Sequence, residues 1–397
     1  MIRQRLFKDQ VLTDRERKNI SILELIGKNG PMTKTDISKL TELNIVTVSN
    51  YINNYIKAGI IEEKGFDIST GGRKPTLLDL NYSSDYVVGI GLTPQFDEIV
   101  AVLLNYGSHI VKKKSLAWDS KDRSGLIIDE MANLIKALIE ESEIDEEKVR
   151  AIGVSLPGII DDRGNTVNWS SSVGKMDIAL CIPVRTVLER RFRIPIFIER
   201  NDVCAVSGER WLNLNSDVQN VIFMYSGIGC GYMISGQIYR GTTGTAGELG
   251  VYNEEDHSPL SLGKMSYDLG ICENVQERLK SGTESVLNDG ETHCLDVIIE
   301  SAHGGDLVCM EAIQAAGNHF GEKVAFLVNL LNPEVIVIGG GIEKAGPILL
   351  DSVRKQVKKY AIEEASNVVK IIPSTLSDNL LPMGAASVVI QELFAQS

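Results

Sequence analysis

Three uncharged hydrogen-bonding side chains recur at helical spacing near the amino terminus of this 397-residue chain. Thr47, Asn50 and Asn54 fall on one face of a segment whose other face is apolar. An asparagine amide can form two hydrogen bonds with the edge of adenine, and a threonine methyl can contact the methyl group of thymine. We therefore predict a helix that reads base pairs in the major groove of DNA. The candidate base-contacting residues are Thr47, Ser49, Asn50, Asn53 and Asn54.

The segments around this face have the pattern of a helix-turn-helix. Thr33 followed three residues later by Asp36 predicts a helix N-cap with an acidic partner. A second helix is predicted to begin after Asn44 and to end near Gly59, where a left-handed cap is expected. Residues 15–28 are predicted to form a preceding helix of the same small domain. The apolar faces of the two later helices are predicted to hold Ile37, Leu40 and Leu43, and then Val48, Ile52, Tyr55 and Ile56.

Two short apolar segments after the second helix are predicted to pair as a β-wing. They span residues 60–66 and 75–80, and the stretch between them contains Gly71, Gly72, Arg73 and Lys74. Glycine lets a backbone approach its target closely, and Arg73 and Lys74 are candidates for contacts with phosphates or the minor groove. The alternative for this stretch is a flexible turn in an interdomain linker.

The charge of the chain is distributed unevenly. The net charge is −13, from 40 basic and 53 acidic residues. Residues 1–80 hold 13 basic and 10 acidic residues, a balance of +3, which leaves 40 − 13 = 27 basic and 53 − 10 = 43 acidic residues, or −16, for the rest. This asymmetry favours phosphate attraction at the amino terminus alone.

Composition and cysteine use point to a cytoplasmic protein. Hydrophobic residues make up 43% of the chain, yet no apolar run approaches the ~20 residues of a membrane span. The charged amino terminus lacks the apolar segment of a signal peptide. The six cysteines contain no CxxC pair and are expected to be reduced. We expect no membrane association.

From Tyr86 onward, buried-strand patterns alternate with amphipathic helices, which predicts an α/β architecture. Asn201 and Asp202 directly follow the predicted strand 196–199, so they are expected at the carboxyl end of a sheet, where α/β folds bind ligands. The alternative for Asp202 is that it caps the helix that follows. Gly227, Gly229 and Gly231 are expected either to let backbone amides approach a phosphate or to permit a tight strand turn.

Several motifs together resemble the ROK family (repressors, open reading frames, sugar kinases), in the branch with an amino-terminal winged helix-turn-helix. The motifs lie at residues 71–75, 155–158, 199–202, 226–231, 244–250, 332–341 and 384–386. The resemblance implies a two-lobed, actin-like (ribonuclease H-like) sugar-kinase fold behind the DNA-binding domain. The domains would be residues 1–67 for the winged helix-turn-helix, 68–84 for the wing strand and linker, and 85–397 for the kinase-like part.

The resemblance also implies which residues face a ligand. Asp202 matches the aspartate that takes a proton from the sugar hydroxyl in the kinases, and Glu248 and Glu273 match sugar-binding glutamates, although an ordinary surface position is the alternative for Glu248. The predicted ligand-binding residues are Gly158, Ser171, Asn201, Asp202, Glu248 and Glu273. Catalytic residues are predicted to be absent.

The expectation of no catalysis follows from a departure at the phosphate motif. The kinases begin this part with Asp-x-Gly-Gly-Thr, whereas this chain has Gly91 in place of the aspartate and Pro94 within the motif. Proline lacks a backbone N–H donor, and phosphoryl transfer depends chiefly on electrostatic positioning. Sugar phosphorylation is therefore not expected.

Two further departures concern metal and sugar. The family's structural zinc uses a histidine and three cysteines, but Val251, Met265 and Tyr267 occupy three of those positions and leave Cys272 with the nearby His257. Because zinc needs four ligands, no zinc or other cofactor is predicted. In the sugar-contacting stretch 168–175, Lys175 stands where tryptophan is usual and Ser171 where asparagine is usual, so a ligand other than plain glucose, or weak binding, is expected.

The leading hypothesis is a DNA-binding repressor of carbohydrate genes, acting as a homodimer or dimer of dimers on double-stranded operator DNA and controlled by a sugar or sugar derivative. A sugar kinase with an appended DNA-binding domain is the second hypothesis. A regulator or scaffold that binds no ligand and uses the kinase-like part only to dimerise is the third.

Overall fold

The computed structural model describes residues 12–66, 74–93, 97–118, 127–161, 166–169, 180–226, 229–249 and 268–397. The chain divides into two compact units. The first unit comprises residues 1–216 and 378–397, and the second comprises residues 217–377. None of the helices in the described ranges is long and apolar enough to cross a membrane.

The amino-terminal part of the first unit is a winged helix-turn-helix, as the sequence predicts. Helices α1 (Asp14–Asn29), α2 (Lys34–Thr41) and α3 (Ile45–Lys57) precede an antiparallel hairpin of β1 (Ile61–Phe66) and β2 (Thr76–Leu80). The predicted cap is confirmed, since Thr33 and Asp36 form a capping box at α2. Helix α3 begins after Asn44, as predicted, and the structure adds that the side chain of Asn44 caps it by accepting from Thr47 N at 2.8 Å. Gly59 adopts a φ of 75° directly after α3, which is the left-handed conformation that ends a helix.

The core of this module follows the predicted pattern with one exception. The side chains of Ile37, Val48, Ile52 and Tyr55 are buried. Leu40 is 61% exposed, so its prediction as an apolar-face residue is wrong. The helix ends at Thr41, and Glu42 turns the chain with a φ of 58°; Leu43, beyond this turn, packs on the core instead.

A five-stranded mixed sheet forms the body of the first unit. Its strand order is β10-β6-β3-β4-β5, in which β3, β6 and β10 run parallel and the β3-β4-β5 meander is antiparallel. A small antiparallel sheet of β7, β8 and β9 lies beyond β6. The elements are β3 (Tyr86–Leu92), β4 (Glu98–Asn105), β5 (Ile110–Ala117), α4 (Ile127–Glu140), β6 (Val149–Leu156), β7 (Ile159–Ile160), β8 (Val167–Trp169), β9 (Leu180–Ile182), α5 (Val184–Arg191), β10 (Ile196–Arg200), α6 (Asn201–Leu212) and, later in the chain, α12 (Leu380–Ala395).

Helix α12 packs so closely on this sheet that glycine is required beneath it. A Cβ on Gly89 would lie 1.9 Å from Pro382 O, and one on Gly153 would lie 2.5 Å from Ala385 O. Gly384 approaches α6 in the same way, since its Cβ would lie 2.1 Å from Cys204 O. The winged helix-turn-helix, α12 and the facing side of the sheet share one apolar cluster.

The second unit repeats the same strand topology in the order β13-β12-β11-β14-β15. Strands β11, β14 and β15 are parallel, and β12 and β13 continue from β11 as an antiparallel meander. Two such α/β units make up the ribonuclease H-like, sugar-kinase fold that the sequence predicts. The elements are β11 (Val221–Tyr225), β12 (Gly229–Ile234), β13 (Gln237–Tyr239), α7 (Ile271–Lys280), α8 (Leu295–His303), α9 (Leu307–Leu331), β14 (Val335–Gly339), α10 (Pro347–Tyr360), α11 (Glu363–Val368) and β15 (Lys370–Pro373).

Candidate functional site

The outer face of α3 presents the predicted base-contacting side chains to solvent. Asn50, Asn53 and Asn54 are exposed, whereas Thr47 and Ser49 are partly buried at the margins of this face. The opposite face of α3 packs into the core of the module through Val48, Ile52 and Tyr55. The helix therefore offers three amide groups that can donate to and accept from base edges.

Two further residues lie on the same face and were missed by the sequence reasoning. Val46 is 67% exposed in the first turn of α3, and Lys57 is exposed in its last turn. An exposed apolar residue at the start of this helix suits contact with a thymine methyl, and the lysine suits a phosphate. Lys34, at the start of α2, donates from Nζ to Asn53 Oδ1 at 3.3 Å, which orients that amide. Considering every residue at the helical spacing of the predicted outer face, and not the polar residues alone, would have found Val46.

The wing contributes a smaller described surface. Lys74 is exposed directly before β2, while Arg73, Gly71 and Gly72 lie outside the described residues. The pairing of β1 with β2 shifts its register between Glu63 and Gly65, and Gly65 has a φ of 113°. Phe66, the last residue of β1, is 67% exposed.

In the first unit, Asn201 joins the carboxyl ends of three parallel strands. It is the first residue of α6 after β10; its Oδ1 accepts from Ser155 Oγ of β6 at 2.7 Å, and its Nδ2 donates to Leu92 O of β3 at 2.9 Å. Gly158, with a φ of 100°, follows β6 two residues beyond Leu156, the register partner of Arg200. Gly158 and Asn201 thus share the sheet edge where α/β folds bind ligands.

Asp202 has a different environment from its neighbour. Its carboxylate forms a two-bond ion pair with Arg200, with Nε to Oδ1 at 3.1 Å and Nη2 to Oδ2 at 2.5 Å. Both side chains are less than a tenth exposed. The sequence reasoning treated Asn201 and Asp202 as one pair and did not consider Arg200. The guanidinium of Arg200 thus binds both oxygens of the Asp202 carboxylate.

Close packing surrounds Gly91, the residue at the aspartate position of the predicted phosphate motif. A Cβ on Gly91 would lie 2.6 Å from the Cβ of Leu381 and 3.2 Å from Pro382 N. Helix α12 therefore occupies the space that an aspartate side chain would need at this position. Pro94 lies outside the described residues.

The remaining predicted ligand residues belong to other parts of the chain. Glu248 is exposed, and its backbone pairs with Gly229 at the start of β12 in the second unit. Glu273 is exposed in the first turn of α7, also in the second unit. Ser171 and Lys175 lie outside the described residues. Of the predicted set, Gly158, Asn201 and Asp202 are the residues that the first unit brings together.

The glycines of the predicted motifs in the second unit lie in strand β12 and in the loop after β14. Gly229 and Gly231 lie in β12 and pair with β11, which favours the strand-turn interpretation for these two, and Gly227 lies outside the described residues. After β14, Gly340 and Gly341 have φ values of 92° and 109°. The backbone N–H of Gly341 donates to Glu343 Oε2 at 2.7 Å, so a carboxylate of the protein binds a loop amide that could otherwise face an anion.

Of the four positions that the resemblance assigns to the family's zinc, only Cys272 lies in the described residues. No group of three or more His, Cys, Asp and Glu side chains suited to a metal occurs in the described ranges. Burial, together with a hydrogen bond to Asp268, raises the pKa of Cys272, which disfavours the thiolate that binds zinc. Val251, His257, Met265 and Tyr267 lie outside the described residues.

Protein-family models match both the kinase-like part and the amino-terminal part of the chain. Residues 96–392 match the ROK family. The chain belongs to the ROK family. Residues 15–62 match the winged helix-turn-helix DNA-binding model, so this ROK protein is a DNA-binding regulator in its domain organisation.

Two curated relatives align with this ROK protein over almost their whole length. The xylose repressor of Caldicellulosiruptor bescii is 28% identical over 94% of this chain and 95% of its own. The DNA-binding transcriptional dual regulator NagC of Escherichia coli is 24% identical over 94% of this chain and 92% of its own.

Solved structures support the same fold. A ROK family transcriptional regulator, a homolog of the Escherichia coli MLC protein, superposes with a TM-score of 0.76 at 21% identity over 96% of this chain and 97% of its own. A ROK family glucokinase from Streptomyces griseus, in complex with glucose and AMPPNP, superposes with a TM-score of 0.64 at 21% identity over 76% of this chain and 98% of its own. The kinase therefore shares the ROK fold but covers less of this chain than the regulator does.

Proposed function

We propose that this ROK protein is a transcriptional repressor whose affinity for operator DNA changes when a small carbohydrate binds to its kinase-like part. The observation that carries the proposal is the exposed amide face of α3, with Asn50, Asn53 and Asn54 outward on a capped helix of a winged helix-turn-helix. The similarity of this chain, over 94% of its length, to a xylose repressor and to NagC supports repression of carbohydrate genes.

A neutral, hydroxyl-rich ligand suits the sheet edge around Asn201. The side chains of Asn201 and Ser155 are polar but uncharged, and the carboxylate of the adjacent Asp202 is already paired with Arg200. D-Xylose and N-acetyl-D-glucosamine are the first candidates, because two relatives of this chain carry the names xylose repressor and N-acetylglucosamine repressor. The coupling requires the ligand to favour one conformation over another, by ~1–3 kcal/mol in typical allosteric proteins.

Regulation without phosphorylation is part of the proposal. Helix α12 fills the space beside Gly91, Arg200 binds the carboxylate of Asp202, and Glu343 binds an amide of the glycine loop after β14. Each of these contacts removes a feature that sugar phosphorylation would use: a carboxylate at position 91, a free base, or an open anion site.

The protein is proposed to act in the cytoplasm as a dimer, or a dimer of dimers. Two copies of α3 would then contact half-sites separated by about one turn of DNA or a multiple of it.

A binding selection from random double-stranded DNA, followed by fluorescence anisotropy, tests the DNA-binding part. The wild type should enrich a two-part site, and Asn50→Ala should bind that site at least five-fold more weakly. Asn288→Ala, an exposed asparagine of the second unit, is the matched control and should bind like the wild type. Failure to enrich any sequence at low salt would contradict the proposal.

The ligand part is tested by repeating the titration with D-xylose, D-glucose or N-acetyl-D-glucosamine. One of these sugars should change the operator Kd of the wild type by at least five-fold, and Asn201→Ala should lose that change while binding DNA normally. A coupled ATP-consumption assay with the same sugars should show no turnover. Turnover that Asp202→Asn abolishes would instead establish the sugar-kinase hypothesis, and the absence of any sugar response would favour the ligand-independent regulator.

A further inference from the structure

Helix α6 extends from the candidate ligand residue to the DNA-binding module. Its first residue, Asn201, holds the ends of β3 and β6 together. Its last turn carries Arg210, whose Nη1 donates to Glu24 Oε1 of α1 at 2.8 Å. The 12 residues of α6 span about 18 Å at ~1.5 Å per residue. Ten of these residues are buried, and the backbone of α12 packs against Cys204 at its middle, so the helix is expected to move as one body.

The contact at the far end of α6 is a buried ionic network. Glu24 is 6% exposed and lies between Arg210 and Lys28, with Lys28 Nζ to Glu24 Oε1 at 2.7 Å. The same two cations reach the segment after α6: Lys28 donates to Leu214 O at 2.7 Å, and Arg210 donates to Ser216 O at 2.8 Å. The chain passes into the second unit directly after Ser216. The network thus joins α1 to the segment that leads from one unit to the other.

A second buried contact continues from α1 to the recognition helix. Asn19 is 1% exposed; its Oδ1 accepts from Tyr55 Oη of α3 at 2.7 Å, and its Nδ2 donates to Ala395 O at 3.1 Å and to Ser397 O at 2.7 Å. Burial raises the pKa of Tyr55, so its hydroxyl remains a donor throughout the physiological range. The position of α3 is therefore fixed by a polar side chain that also binds the end of α12.

We propose that Arg210 and Asn19 are positioning residues that couple the ligand site to α3. A ligand that displaces Asn201 shifts α6, the Arg210–Glu24 contact transfers this shift to α1, and the Asn19–Tyr55 bond transfers it to the helix that carries Asn50 and Asn54. This inference rests on the proposed sugar-regulated repressor. It adds the series of contacts that couples the ligand site to α3, and it identifies two of them as contacts made by residues that touch neither sugar nor DNA.

Arg210→Met tests the first contact, because methionine keeps much of the apolar stem and removes the guanidinium. The operator Kd is measured by anisotropy with and without saturating sugar, using whichever of D-xylose, D-glucose and N-acetyl-D-glucosamine acts on the wild type. The sugar Kd is measured by calorimetry without DNA. Arg210→Met should bind the sugar within two-fold of the wild type, whereas its ratio of operator Kd values with and without sugar should fall to below two. A merely stabilising contact would alter the melting temperature and leave that ratio intact.

Tyr55→Phe tests the second contact without removing any packing, and it serves if Arg210→Met does not fold. Its operator affinity without sugar should fall by at least three-fold, and its sugar-dependent ratio should fall as well. Tyr51→Phe is the matched control on the same helix and should change neither quantity. An unchanged sugar-dependent ratio in both Arg210→Met and Tyr55→Phe overturns the inference and leaves the proposed function standing. A wild type that binds no operator, or ignores all three sugars, refutes the proposed function itself.

Discussion

Arg200 and Asp202, two residues apart at the junction of β10 and α6, form a buried ion pair through two hydrogen bonds. The residue between them, Asn201, points instead to the ends of β3 and β6. This alternation places an amide at the sheet edge and places the carboxylate against a cation. Asp202 matches the catalytic base of the sugar kinases by sequence resemblance. Its pairing with Arg200 makes it a candidate for a structural ion pair instead.

Removal of Arg200 should destabilise the first unit strongly. In Arg200→Met the Asp202 carboxylate remains buried without its arginine, and breaking a buried pair in this way costs about 3–5 kcal/mol. Urea unfolding followed by tryptophan fluorescence measures the loss, because all three tryptophans, Trp118, Trp169 and Trp211, belong to the first unit.

The matched control for that experiment is Arg17→Met, which removes an exposed partner of Asp14 and should cost under ~1 kcal/mol. The double variant Arg200→Met/Asp202→Asn should recover part of the lost stability, because it removes the buried charge together with its arginine partner. Equal stability of Arg200→Met and the wild type would show that the ion pair does not stabilise the fold.

Restoring the kinase-like aspartate should not restore a kinase. In Gly91→Asp the new Cβ would meet Leu381 at 2.6 Å, and such overpacking costs about 1–3 kcal/mol. We expect a lower urea midpoint and no ATP turnover with D-glucose, D-xylose or N-acetyl-D-glucosamine. A stable Gly91→Asp protein that consumes ATP in the presence of one of these sugars would show that the packing of α12 on Gly91 does not exclude an aspartate there.

The salt dependence of DNA affinity should distinguish the phosphate contacts of α3 from its base contacts. Lys57→Ala should lower the slope of log K against log salt concentration by about 0.9 if it removes one phosphate contact. Asn50→Ala should keep the slope and lose about 1–3 kcal/mol of binding to the selected site only. Lys280→Ala, at the exposed end of α7, is the control and should alter neither. An unchanged slope in Lys57→Ala would place that lysine away from the DNA backbone.

Structural features that depend on residues close together in the chain are predicted well from the sequence. The helix-turn-helix follows from the cap at Thr33 and from apolar spacing, both of which act within a few residues. Leu40 was assigned wrongly because Ile37, Leu40 and Leu43 were counted as one helical repeat, whereas α2 ends at Thr41, before Leu43.

The sequence does not predict contacts between distant segments. Asn19 and Ala395 are 376 residues apart, and nothing in the local pattern of either indicates the other. Glu24 likewise reads as an ordinary surface residue of an amphipathic helix until Arg210 is placed beside it by the tertiary fold. The exclusion of a side chain at Gly91 similarly depends on α12, which lies almost 300 residues later in the chain.

Asp306 provides a pH-dependent test in the second unit. It caps the long helix α9, and its carboxylate accepts from Cys309 N at 2.9 Å, Val286 N at 2.8 Å and Ser285 Oγ at 2.7 Å. Burial alone would raise the pKa of Asp306, but these hydrogen bonds outweigh it, so its pKa is lowered. Because the unfolded aspartate has a pKa of about 3.9, the stabilisation is fully present above that value. It is lost as pH falls through the lower folded pKa.

We therefore expect Asp306→Ala to lose about 0.5–2 kcal/mol of unfolding free energy at pH 7, and we expect this deficit to shrink as the pH falls below about 4. Urea unfolding followed by circular dichroism at several pH values measures the difference, because α9 is the longest helix in the described part of the chain. Asp289→Ala, an exposed aspartate of the same unit, should match the wild type at every pH. A deficit that stays constant down to pH 3 would mean that the ionised carboxylate is not what stabilises the start of α9.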